Sequence, residues 1–155
     1  MDPAASPPSA PGGTPRRLDI AFLATLETVA MAGRAAAAVA GLTCLGQAAV
    51  DEIELGLVEA LTNVVEHGYG GEAGEVRLTV GLTAQTLWIE LADRGRPMEP
   101  SLLADACLEY DCEDLDSLPE SGMGLFLIQA AFDGVSYTSG GGWNRMVLVR
   151  NLMTL

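Results

Sequence analysis

Apolar residues recur along this chain with two different periods. Between Gln47 and His67, Val50, Ile53, Leu57, Leu61 and Val64 step by three and four, which lines one face of a helix. Glu52, Glu59, Asn63 and Glu66 fall on the opposite face, and Gly68, Gly70 and Gly71 stop the helix. Upstream, an Ala-rich run from Leu26 to Gly41 with Val29, Met31 and Val39 predicts another helix, ended by Gly41. Glu75–Gly81 and Thr86–Ala92 alternate with period two, and Gly81–Gln85 turns between them, so they predict a hairpin. Val135–Ser139 and Arg145–Val149 repeat that plan through Gly140–Gly142. Gly124–Phe132, with Leu125, Leu127, Ile128 and Ala131 apolar, predicts a further helix, and Arg16–Leu23 fits an edge strand.

The order is therefore strand, helix, helix, hairpin, loop, helix, hairpin. Hairpins rather than long crossovers join most strands. The expected class is α+β: a two-layer α/β sandwich with a mixed, mostly antiparallel sheet and helices on one face. Residues 94–121 read as irregular, with Pro97, Pro100, Pro119, an acidic run at Glu109–Asp116 and a short helix near Ser101–Cys107. A loop of that length in a compact domain is usually functional or mobile. Residues 1–15 hold five of the eight Pro and predict a disordered tail, leaving 16–155 as a single domain.

Composition narrows the function. Apolar residues make up 49% of the 155 and charged residues 19%, enough for one real core. The net charge of −13 repels nucleic acid and anionic membrane, so neither is an expected partner. All eight basic residues are Arg. Without Lys, neither a P-loop nor a eukaryotic-type protein kinase site can be built. Cys44, Cys107 and Cys112 fit no zinc spacing and read as free thiols in a reducing compartment. No run reaches the ~18 apolar residues of a membrane span, and the N-terminus lacks a signal-peptide pattern. A cytoplasmic location is expected.

Three segments carry candidate chemistry. In Glu59-Ala60-Leu61-Thr62-Asn63, closed by His67-Gly68-Tyr69, the acid and the amide lie one helical turn apart and point the same way. A carboxylate can take a proton from a hydroxyl, and an amide oxygen suits the hard shell of Mg2+. In Asp93-Arg94-Gly95, Asp93 at a strand end can accept a hydrogen bond from a base amino group, and Gly95 lets backbone approach a ring. In Gly122-Met123-Gly124-Leu125, glycines at a helix entry expose N–H groups suited to phosphate. Taken singly, these read as a solvated helix face, a turn and a flexible helix entry. Their order and spacing read as one nucleotide site. His67 reads as a structural residue at a helix end, and Arg94, Arg96 and Arg145 as cations that contact phosphate or screen nearby acids.

E-A-L-T-N-V-V-E-H-G-Y (59–69), Asp93–Gly95 and Ser121–Leu127 resemble the three nucleotide motifs of the Bergerat-fold ATPases. The match is nearest to the small bacterial anti-sigma factor serine/threonine kinases and covers about Arg16–Arg150. The resemblance implies that Glu59 is the general base, Asn63 the Mg2+ ligand, Asp93 the adenine-recognising residue and Gly95 part of the base pocket. Gly122, Met123, Gly124 and Leu125 would hold ATP under a mobile lid at 96–121. It implies partner switching: phosphorylation of a Ser or Thr on a STAS-domain anti-anti-sigma protein, sequestration of a sigma factor or equivalent regulator, and a homodimer. A partner-capture module that binds ATP without phosphotransfer and an ATP hydrolase are the alternatives. Three departures stand out, the first being that no Lys is available to neutralise phosphate. Some relatives carry Arg where this chain has Glu120, and the family's Gly-Thr before the last strand is here Asn144-Arg145-Met146.

Overall fold

Alternation in the strands and a glycine seam between two helices account for the architecture. The computed structural model describes residues 16–105 and 123–152. The proline-rich tail, the acidic run, Cys107, Cys112, Glu120 and Gly122 lie outside them. In chain order the elements are β1 (Arg16–Ala24), α1 (Leu26–Ala40), α2 (Gln47–Asn63), a π-helical turn (Val64–Gly68), β2 (Gly74–Leu82), β3 (Thr86–Asp93), α3 (Pro100–Asp105), α4 (Met123–Ala131), β4 (Gly134–Gly140) and β5 (Trp143–Asn151). The short helix expected near Ser101–Cys107 is α3, one residue earlier at its start.

The strands form one sheet in the order β1-β2-β3-β5-β4. Every pairing is antiparallel, where the sequence left room for a mixed sheet. β1 is an edge strand, as its modest apolar content suggested. Val76, Leu78 and Val80 of β2, Ile89 and Leu91 of β3 and Leu148 of β5 turn toward the helices and are almost wholly buried. Their neighbours Arg77, Thr79, Glu90 and Arg145 face the other way. With Ala92 and Trp143 they line a groove of about 130 Å³.

Thr25 starts α1 with a capping box: Thr28 N donates to Thr25 Oγ1 (3.3 Å) and Thr25 N to Thr28 Oγ1 (2.8 Å). The expected stripe of α2 holds at Val50, Ile53, Leu57 and Leu61, all 5% exposed or less. Each of the larger ones contributes about 1.5–3 kcal/mol by leaving water. Val64, the last of the stripe, is half-buried against the core. The α-helix ends at Asn63 and the next turn is π-helical, with Tyr69 N donating to Val64 O (2.9 Å). In this wider turn Val65, at 4% exposure, is buried more deeply than Val64, which packs against the same core. Gly70 (φ 65°) and Gly71 (φ 87°) then turn the chain through conformations costly for other residues.

α4 lies against α2 across Gly56. A Cβ there would fall 2.7 Å from Ala131 Cβ and 3.1 Å from the Phe132 ring. Gly56→Val is expected to destabilise the fold by about 1–3 kcal/mol through overpacking, although valine is the better helix former. A lower urea midpoint at unchanged slope checks this.

Candidate functional site

The same seam brings two of the predicted segments together. α4 runs back along α2 from its close contact at Gly56, which carries its first turn to the other end of α2. A Cβ placed on Gly124 would sit 3.1 Å from Glu59 Oε2 and 3.6 Å from both polar atoms of Asn63. Glycine there spares the Glu59 carboxylate a tight contact. Glu59 and Asn63 are half-buried, whereas Glu52 and Glu66, assigned to the same polar face, are exposed. The first-turn N–H groups of α4, at Met123, Gly124 and Leu125, have no intrahelical acceptors. An acid, an amide and a helix N-terminus thus share one small space. Met123 is 39% exposed, and Leu125 packs on the core.

The third segment meets the π turn that extends α2. Asp93, 6% exposed, ends β3 opposite Asn144 of β5. Its Oδ1 accepts from Gly95 N (2.8 Å) and from Asn144 Nδ2 (2.9 Å). Gly95 lies directly on the end of the π turn, where a Cβ would come within 2.6 Å of Gly68 C and 2.7 Å of Gly68 O. Arg96 N donates to Gly68 O at 2.7 Å, fixing that approach. Gly68 in turn lies near the acid, its built Cβ 3.8 Å from Asp93 Oδ1. Helix end and strand end therefore form one wall.

A model of the histidine kinase-like ATPase domain matches residues 22–149. The chain is 30% identical over 120 residues to the serine-protein kinase RsbW of Bacillus cereus (strain AH187), across 77% of this chain and 75% of that one. RsbW of Bacillus mycoides (strain KBAB4) matches to the same degree. The chain belongs to the RsbW serine-protein kinase family of histidine kinase-like ATPases. In three dimensions it is similar to the RsbU and RsbW domains of Rv1364c from Mycobacterium tuberculosis, with a TM-score of 0.61 over 88% of this chain at 17% identity. It spans 32% of that longer chain, and this likeness bears on the fold alone.

Two arginines of this RsbW-family chain point away from the expected phosphate region. Arg145 donates to Glu90 (2.8 Å) on the far face of the sheet. Arg94 stacks on Trp143, 4.3 Å from the ring centroid, with Arg77 on the same ring at 4.6 Å. No ion pair among the described residues engages Glu59, Asp93 or Arg96. His67 is exposed in the π turn. Among the described residues no helix is long and apolar enough to cross a membrane.

Sequence reasoning gave no structural role to three positions that hold the site in shape. Tyr69 Oη donates to Glu75 O (2.5 Å) and accepts from Arg94 N (2.9 Å). Tyr137 Oη accepts from Met98 N (2.8 Å). The two phenols fasten the stretch that follows Asp93. Asn144, read only as a departure from a motif, is buried against Asp93. Strand parity carried a signal for it: Asn144, Met146 and Leu148 share the inward face, and one of them is polar.

Burial raises the pKa of both phenols above the ordinary tyrosine value, and the Asp93 carboxylate pushes the same way. The folded chain therefore holds protons that the unfolded chain sheds at ~10. Stability present below that pH is lost as pH rises through it. Urea midpoints measured from about pH 8 to 11 should fall, and Tyr69→Phe should flatten part of that fall.

Proposed function

We propose that this chain is an ATP-dependent protein serine/threonine kinase acting by partner switching. The observation that carries the reading is the approach of Gly124 to Glu59 and Asn63, which joins an acid, an amide and a helix N-terminus. Asp93 accepts a hydrogen bond from the adenine amino group, with Gly95 beside the ring. The exposed N–H groups at the start of α4, with Gly122 just before it, receive phosphate oxygens. Phosphorylation of a Ser or Thr on a STAS-domain anti-anti-sigma protein alternates with capture of a sigma factor or equivalent regulator. The kinase works as a homodimer.

The residues present suit Mg2+. The Asn63 side chain offers one hard oxygen beside the Gly124 turn. No group of three or more His, Cys, Asp or Glu among the described residues could form an all-protein cage. Mg2+ is commonly bound with few protein ligands, the rest coming from phosphates and water. Bound there, it would neutralise charge on the phosphates. That help matters in a chain of net charge −13 whose Arg94 and Arg145 face elsewhere.

Glu59 accepts the proton of the substrate hydroxyl as that oxygen bonds to the terminal phosphorus. The bond from phosphorus to the bridging oxygen breaks and ADP leaves. Asp93 and the α4 amides hold the nucleotide in place, and positioning supplies most of the acceleration. Glu59→Gln keeps the shape but removes the base. It is expected to lower the rate of label transfer from ATP to the antagonist by about 10²–10⁴-fold, with ATP affinity nearly unchanged. Undiminished transfer in that variant would refute the base role. Asn63→Ala should instead remove the Mg2+ dependence of ATP binding in calorimetry.

A further inference from the structure

Asn144 is 3% exposed and its amide is fully committed. Nδ2 donates to Asp93 Oδ1 and to Gly95 O, each at 2.9 Å. Oδ1 accepts from Ser139 Oγ at 2.7 Å. A primary amide has two N–H donors, and both are used. Two oxygen acceptors on one side and a hydroxyl donor on the other leave a single way round for the group. Asn144 thereby fixes the strand-end carboxylate and the Gly95 carbonyl to one another.

The consequence for Asp93 is asymmetry. Its Oδ1 already takes two donors, Gly95 N and Asn144 Nδ2. No hydrogen bond among the described residues reaches Oδ2. A carboxylate free to turn can grip guanine with both oxygens, one on the ring N1–H and one on the 2-amino group. A carboxylate pinned at one oxygen offers a single acceptor. That suits one amino group, as on a 6-aminopurine. The 6-oxo group of guanine would meet it oxygen to oxygen.

Resting on the reading of Asp93 as the base-recognising acid, we infer that Asn144 is the specificity-determining residue of the base pocket. It acts as a positioning residue that makes Asp93 a one-sided acceptor, selecting 6-aminopurine nucleotides and excluding 6-oxopurine ones. The position where this chain departs from the family's Gly-Thr then carries a function of its own.

Calorimetric titration of the full chain with ATP and with GTP, Mg2+ present, tests this in wild type, Asn144→Ala and Asn144→Thr. Wild type is expected to bind ATP and reject GTP. In Asn144→Ala the ratio of ATP to GTP affinity should fall about tenfold or more, about one hydrogen bond's worth, as ATP weakens and GTP gains. Asn144→Thr keeps one hydroxyl donor, which serves one acceptor of the two, and should fall in between; it also answers the question if the alanine variant does not fold. A merely structural role would weaken both nucleotides alike. An unchanged ratio with ATP binding retained overturns this inference alone. A wild-type chain that binds neither nucleotide overturns both the inference and the reading of the site beneath it.

Discussion

The contact of α4 with α2 at Gly56 is the constraint on which the rest of the site depends. A helix with a side chain there would hold α4 away, since the space a Cβ needs is already filled by Ala131 and Phe132. Because α4 runs back along α2, closeness at one end becomes closeness at the other. The distance from Gly124 to Glu59 and Asn63 is set by packing some two helical turns away. The chemistry of the acid and the amide is thus tied to an apolar seam that takes no part in it. Core packing is stiff, so such a seam transmits position faithfully.

The elements legible from the sequence were those whose burial follows a simple period. The stripe Val50, Ile53, Leu57 and Leu61 placed α2, and alternation placed both hairpins. The site residues Glu59, Asn63, Asp93, Gly95 and Gly124 were visible because unusual residue types stood at element ends. What escaped was whatever depended on contacts distant in sequence. The π turn has no local signature, and within it Val65 is buried more deeply than the expected Val64. Arg145 could not be assigned a face until the register of β3 and β5 set it beside Glu90. Asn144 looked like a missing motif residue, because its partner Asp93 lies 51 residues earlier.

Charge is distributed with the same economy. In an acidic chain without Lys, the described arginines mostly answer carboxylates or an aromatic ring on the outer surface. Glu75, Glu90, Glu54 and Glu52 each take one. These pairs are solvated and worth little apiece, on the order of 0–1 kcal/mol. Their effect is on layout. They leave the acids beside α4 without guanidinium partners, so an anionic ligand there must rely on backbone N–H groups and on a metal ion for its counter-charge.

The π-helical turn at Val64–Gly68 has a consequence for how this lineage can vary. Such a turn amounts to one residue inserted into an α-helix. Deleting one residue within it would restore regular winding. It would also swing Gly68 by about 100° around the axis, and the bare backbone surface on which Gly95 rests would be gone. Loss of one residue there would part the helix end from the strand end that carries Asp93 and Gly95.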